Sequence, residues 1–319
     1  MTLEQLRIFV AVAEREHLTA GARALNRTQS AVSAAVRALE RQHETVLFHR
    51  VGRGIALTEA GVVLLAEARA VLARADAAER TLAELKGLKR GRLTLMASQT
   101  IASYWLPERL VRFRQTFPEV ALVVSIGNTA QVARAVTEGE AELGLVEGVV
   151  DDARLLSETV AHDRLALVVA PGHAWADGVA LRPEDLLESG WVLREPGSGT
   201  RSVFEAALAE QGIAPGSLSV VLELPSNEAV RAAVEAGAGA TAISELVVVR
   251  ALAAGTLAPA AFALPGRAYN VLLHRERFPS RAVEALRAIL RGGQAGGQAR
   301  AESVSAGALR REARAPSAR

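Results

Sequence analysis

The chain has 319 residues, half of them hydrophobic, with a formal net charge of +2 and no Cys. That length suits a small domain plus a larger one, and the near-neutral balance excludes a global basic field as the basis of nucleic-acid contact. Disulfides, thiolate metal sites and a thiol redox switch are excluded with the cysteines. No run of about 18 uninterrupted apolar residues occurs, so no membrane span is expected. Glu4 and Arg7 inside the first apolar pattern argue against an export signal.

In chain order, Leu3, Leu6, Phe9, Val10 and Ala13 recur at helical spacing, opposite Glu4, Arg7, Glu14 and Arg15. A second helix is predicted over 19–25, with Thr19 as its N-cap. Gly21 in its middle should cost up to about 1 kcal/mol relative to Ala. After a break at Asn26-Arg27, Thr28 caps a third helix running to about 42, with Val32, Val36 and Leu39 facing inward. Helix, tight break and helix fit a helix-turn-helix.

On the outer side of the third helix lie Gln29, Ser30, Ser33 and Arg37. Short polar groups at a recognition-helix N-terminus can reach base edges and phosphates, so these residues are candidate DNA contacts. An ordinary solvated face is the alternative, and for Thr28 capping alone is sufficient. Gly52 and Gly54 flank Arg53, which predicts a small β-hairpin with Arg53 at its tip. Arg50 and Arg53 are candidate phosphate contacts, with a solvated turn as the alternative. Residues 1–62 hold eight Arg against six Glu, so charge alone argues weakly for DNA.

Thr58 opens a long helix to about 88. Its apolar positions Leu64, Ala68, Val71, Ala75, Ala78, Leu82 and Leu85 alternate steps of four and three. This is a coiled-coil seam, and the same helix of a second subunit is the simplest partner, packing on the chain's own body being the alternative. Gly87 and Gly91, among Lys86, Lys89, Arg90 and Arg92, mark its end.

Strands and helices then alternate, which predicts a parallel sheet with helices on both faces. Strands are predicted at 92–97, 121–126 and 143–146, with helices at 101–117, interrupted by Pro107, and 129–138. A strand near 155–160 and another at 165–170 flank a crossover at 161–163. Strands at 191–193, 219–223 and 240–243 and helices at 200–211 and 227–236 form a second set. A return crossover at 264–269 leads to a strand at 270–274 and a closing helix at 280–291. Two α/β halves joined this way leave a cleft. Residues 292–319, with five Arg and two Glu and almost no large apolar groups, read as a disordered basic tail.

Enzyme constellations are missing from the sequence. The six His have no metal spacing, and no nucleophile elbow, zincin or P-loop motif occurs. Small polar residues instead gather where strands hand over to helices: Ser98, Gln99, Thr100, Asn128, Thr129, Ser198, Thr200 and Ser226, together with Glu147 and Ser244. The carboxyl ends of strands are the usual ligand crevice of an open α/β sheet, and helix N-termini suit anions. Helix capping explains any one of them. Arg201 could add charge. No cofactor or metal is expected; a small anionic effector is.

The spacing Leu3-x-x-Leu6-x-x-Phe9, Thr28-Gln29-Ser30-Ala31-Val32-Ser33, Leu39-Glu40, Leu47-Phe48-x-Arg50 and Leu57-Thr58-x-Ala60-Gly61 resembles the LysR-type transcriptional regulators, over residues 1–291. The resemblance implies an α+β multidomain chain. Its parts are a winged helix-turn-helix over 1–58, a dimerising linker helix over 59–90, and a periplasmic-binding-protein-like effector domain over 91–291. The effector domain divides into lobe I (91–162 with 265–291) and lobe II (163–264). Promoter DNA, a small-molecule effector and further copies of the chain, as dimer or tetramer, are the implied partners, with RNA polymerase as a further candidate; the implied compartment is the cytoplasm. The stretch Arg194 to Arg201, with Gly127-Asn128-Thr129 and Glu147-Gly148, is similar to the branch that regulates sulfur assimilation and carbon fixation. Ala34 and Ala35 stand where the family often has a basic residue, and His43-Glu44-Thr45 replaces its usual Leu-Gly. The missing Cys argues against the peroxide-sensing type. The competing readings are a ligand receptor whose N-terminus binds protein, and an enzyme in the cleft.

Overall fold

The computed structural model describes residues 1–52, 54–84 and 91–292. Three helices, α1 (Leu3–Ala13), α2 (Leu18–Ala24) and α3 (Gln29–Gln42), precede a hairpin of β1 (Phe48–Val51) and β2 (Gly54–Leu57). Leu6, Phe9, Ala13, Leu39 and Leu47 form one apolar cluster here, and Ile8, Val12, Ala22, Val32 and Val36 a second. The turn between α2 and α3 bends at Asn26, φ +52°, a conformation Asn tolerates better than most residues. Two expectations about α2 need correction. Its cap is His17, whose Nδ1 accepts from the backbone N–H of Thr19 and Ala20. Gly21 is there for space: a Cβ would lie 2.8 Å from Val12 Cγ2 and 3.0 Å from Val12 Cα. The lower helix propensity is offset by close approach of α1.

The long helix α4 (Glu59–Glu84) starts on Thr58, whose Oγ1 accepts from Gly61 N–H and donates to the Val46 carbonyl. The expected seam is divided. Ala68 is buried and Leu64 half-buried against α1 of the same chain, whereas Val71 and Ala78 are exposed. The side chain of Leu82 and residues 85–90, where the helix was expected to end, lie outside what the structure describes. Arg69 of α4 joins three parts of the molecule, reaching Glu14 at 3.1 Å, Glu138 at 2.6 Å and Glu140 at 3.2 Å.

Beyond α4, β3 (Gly91–Ser98) pairs in parallel with β4 (Val120–Gly127) and β5 (Leu143–Glu147). Helix α5 (Leu106–Thr116) carries Pro107 in its first turn, after one wide turn over Ile101–Trp105. Helix α6 (Thr129–Glu138) follows β4. The expectation of two strands around a crossover at 161–163 is overturned. A single strand, β6 (Leu155–Val169), runs through both lobes. The return strand β11 (Gly266–His274) likewise begins in the supposed crossover and pairs with β6 from Arg164 back to Leu155. His162, Asp163 and Arg164 break the apolar pattern and resemble a loop in sequence. In the fold Asp163 is buried and paired, so polarity there does not mean exposure. The sheet is also mixed, since β11 runs antiparallel to β5 and β6.

Lobe II holds β7 (Gly190–Arg194), α7 (Gly199–Glu210), β8 (Ser219–Leu224), α8 (Asn227–Glu235), β9 (Thr241–Ser244), α9 (Glu245–Ala254) and β10 (Ala258–Pro259). Helix α9 was not expected; its apolar run lacks a polar face from which to read a period. β9 pairs with Leu165 to Val168 of β6. Lobe I buries Leu93, Leu95, Phe113, Leu145 and Leu286, and lobe II buries Leu167, Trp191, Phe204 and Leu208. The described residues end with α10 (Arg281–Gly292), and the expected tail beyond it lies outside them. No helix among the described residues is long and apolar enough to cross a membrane.

Candidate DNA-reading surface and effector cleft

On α3, Gln29, Ser30 and Arg37 are exposed and Ser33 is half-buried. Thr28 caps the helix, accepting from Ala31 N–H at 3.3 Å, and its Oγ1 lies 3.2 Å from Ser30 Oγ. Arg37 folds back along the helix and donates to Ser33 Oγ at 2.9 Å. Gln29 is thus exposed, with no local partner of this kind among the described residues, while Ser30, Ser33 and Arg37 are held in local bonds. Arg50 is exposed on β1 opposite Ile55. Arg53 lies outside the described residues, although the hairpin that carries it is formed. Glu40 Oε1 accepts from Leu47 and Phe48 N–H and so fixes the hairpin to α3. Glu44, in the stretch before the wing, sits at φ +48°. That left-handed backbone costs a non-Gly residue roughly 1–2 kcal/mol.

The lobes meet where β6 and β11 pass between them, and the expected cleft falls at this junction. At its centre is Arg267, 3% exposed. Its Nε and Nη2 donate to Asp163 Oδ2 at 2.8 and 2.7 Å, and its Nη1 donates to Thr200 Oγ1 at 2.9 Å. Glu147 Oε1 stands 3.9 Å from Arg267 Nη2. Burial works against the guanidinium charge, and the Glu147 and Asp163 carboxylates more than offset it, raising its pKa. Ser244 Oγ donates to Asp163 Oδ1 at 3.0 Å and also caps α9. Tyr269, fully buried, has its ionisation pushed up by burial and by Asp163, and its hydroxyl makes no hydrogen bond of ordinary geometry among the described residues.

Several bonds cross from lobe to lobe. Gln99 accepts from Asn227 N–H at 2.7 Å and donates to Glu228 at 3.0 Å. Thr100 Oγ1 accepts from Asn227 Nδ2 at 3.0 Å, and within lobe II Arg194 Nη1 donates to Asn227 Oδ1 at 2.6 Å. Asn128 caps α6 and also donates to Glu195 at 3.2 Å. Thr129 Oγ1 donates to the Glu147 carbonyl, and Gly199 packs so close that a Cβ would lie 2.5 Å from that oxygen. Ser198 is buried at the α7 N-terminus without capping it. Ser98 is buried with its hydroxyl unpartnered among the described residues. Ser226 caps α8. Arg201 turns away, to Glu205 and Glu223.

Of the residues singled out for the cleft from sequence, Gln99, Thr100, Asn128, Glu147, Thr200 and Ser244 take part in these contacts, Thr129 bonds the Glu147 carbonyl, Ser98 and Ser198 are buried at strand and helix ends, and Ser226 caps its own helix. Arg267, Asp163, Arg194, Asn227 and Tyr269 were missed. Arg267 and Tyr269 alternate with Ala268 in a strand-like period, and that was the available signal. Among the described residues, no group of three His, Asp or Glu could hold a metal ion.

A winged helix-turn-helix joined by a long helix to a two-lobed α/β domain defines a DNA-binding transcriptional regulator. More closely, the chain belongs to the LysR family of transcriptional regulators. Residues 3–62 match the bacterial regulatory helix-turn-helix protein, lysR family, and residues 86–295 the LysR substrate binding domain. The "Uncharacterized HTH-type transcriptional regulator YeiE" of Escherichia coli (strain K12) is 34% identical over 89% of this chain and 94% of its own. A "Probable RuBisCO transcriptional regulator" of Cyanophora paradoxa is 32% identical over 80% of each chain. Among solved structures, a full-length single-residue variant of OxyR from Pseudomonas aeruginosa superposes with a TM-score of 0.69 over 91% of this chain and 95% of its own, at 22% identity.

Proposed function

We propose that this regulator controls transcription by binding promoter DNA through Gln29, Ser30, Ser33, Arg37, Arg50 and Arg53, under the control of a small anion held between its lobes. The observation that carries the reading is the buried bond from Arg267 of lobe I to Thr200 of lobe II, beside the α7 N-terminus. Arg267, the free N–H groups of that helix and the hydroxyls of Ser98, Thr100, Ser198 and Thr200 suit an anionic group. A ligand there would alter lobe closure, and closure can shift DNA binding only if the ligand prefers one arrangement. The Arg69 ion pairs to Glu14 and Glu138 offer a link from lobe I to the reading domain.

On this reading residues 1–58 bind DNA, 59–90 connect and dimerise, and 91–291 sense. Val62, Val63 and Val71 are exposed along α4, which supports pairing with a second copy, as dimer or tetramer. The chain acts as a regulator rather than an enzyme, in the cytoplasm where promoter DNA lies, with RNA polymerase as a partner at the promoter. A gel-shift assay on the chain's own upstream DNA, with and without sulfite, phosphate, sulfate and small carboxylates, tests the reading. Retardation that changes with one anion is expected; no retardation at low salt ends it.

A further inference from the structure

An anion site holding a buried carboxylate with a free oxygen needs a reason. Glu147 Oε1, Ser98 Oγ and Tyr269 OH are all buried without a hydrogen-bond partner among the described residues. Glu147 and Ser98 are 2% exposed and Tyr269 0%. They stand on three adjacent interior strands of the sheet, with β5 between β11 and β3 and Ser98 at the end of β3. β3 pairs with β5, and Tyr269 of β11 is in register with Glu147 of β5. Leaving a buried acceptor unmet is costly, most of all an ionic one.

The donors already present do not meet it. Arg267 is 3.9 Å away and directs its Nε and Nη2 to Asp163 and its Nη1 to Thr200. Thr129 donates to the Glu147 main-chain carbonyl rather than to its carboxylate. Tyr269, kept protonated by burial and by Asp163, remains a donor. The unmet set is therefore one acceptor and two hydroxyls, of which that of Tyr269 is also drawn toward Asp163 without a bond of ordinary geometry, next to a guanidinium.

We propose that Glu147 determines effector specificity: the ligand is an oxyanion that also carries an O–H group, which donates to Glu147 Oε1 while its other oxygens accept from Tyr269, Ser98 and Arg267. The inference rests on the cleft being the effector site. A fully ionised tetrahedral anion such as sulfate would set a lone pair against the carboxylate. Monohydrogen phosphate has the same shape and presents a hydrogen there. Among carboxylates, glycolate offers a hydroxyl that acetate lacks. A site built around a hydrogen-bonding group rejects the analogue that leaves it unpaired.

Isothermal titration calorimetry on the full-length chain, at matched ionic strength, compares phosphate with sulfate and glycolate with acetate. The O–H-bearing member of a binding pair should bind about 10- to 100-fold tighter. Glu147→Gln, whose amide can donate to a bare oxygen, should bring the two members level. Tyr269→Phe should weaken both without changing their ratio. Equal affinities within a pair for the unaltered chain overturn the proposal, whether or not the variants fold. So does a preference that persists in Glu147→Gln, or no binding by any of the four ions. Equal binding that Thr200→Val abolishes rejects the selectivity and keeps the cleft; binding that survives Thr200→Val unchanged rejects the cleft itself.

Discussion

The reading head and the cleft solve opposite problems with polar side chains. On α3 the polar groups are exposed or half-buried and take partners on their own helix: Thr28 with Ser30, Arg37 with Ser33. In the cleft the polar groups are buried, and their partners come from far along the chain, as in Thr100 with Asn227, Asp163 with Ser244 and Thr200 with Arg267. An exposed group can exchange water or a local bond for DNA at little expense. A buried one is committed to its network, and removing a partner strands a charge or a donor.

The comparison breaks most visibly at Arg267. Arg267→Met leaves the Asp163 and Glu147 carboxylates without their nearest counter-charge. The loss should be about 3–5 kcal/mol by urea unfolding; a loss no larger than that of a surface substitution would mean the network is not held by this ion. Gly21→Ala tests the reading head's packing. Propensity favours it by up to about 1 kcal/mol, but the methyl meets Val12 at 2.8 Å, and overpacking of this kind costs about 1–3 kcal/mol. A net rise in melting temperature would show that α1 and α2 can part freely.

Gln29→Ala should leave stability unchanged and lose about 1–3 kcal/mol of binding at the specific site only. Equal losses on specific and random DNA would remove its role in base reading. The smallest effect is expected at Glu158, which accepts from Arg291 and Arg287 of α10. The hydrogen bond from Arg291 first, then that from Arg287, outweigh burial and hold its carboxyl down at about 2, from 4.5. A depressed folded pKa contributes stability above the unfolded value and loses it as pH falls through the folded one. The melting temperature should therefore decline between pH 4.5 and about 2 more steeply in the unaltered chain than in Glu158→Gln.

What could be read from the sequence follows the same division. The head was legible because helical period, the Thr28 cap and the Gly52/Gly54 hairpin signal all act over a few residues. Its errors were equally local: His17 caps α2 through its ring, and Gly21 answers to Val12 rather than to its own helix. In the effector domain the strand–helix handovers gave Ser98, Thr100, Asn128, Thr129, Ser198 and Thr200, because each lies at an element boundary that pattern can find. Arg267, Asp163 and Arg194 were missed because a charged residue in a predicted loop reads as solvated. Only pairing β6 with β11 brings Asp163 and Arg267 into register. The same pairing turned two supposed crossovers into continuous strands. The linker helix reads as one apolar seam in sequence, and pattern alone could not show that Ala68 would be covered by α1.

On the proposed function, control of DNA affinity through the cleft ties the two regions together. Fluorescence anisotropy of the chain's own upstream DNA, titrated with the full-length protein in the presence and absence of phosphate, sulfite and glycolate, tests it most directly. At least one of these ions is expected to shift the affinity by about fivefold or more, and Thr200→Val is expected to bind the same DNA but no longer respond. A shift of the same size in Thr200→Val, or no DNA binding at low salt, would contradict it.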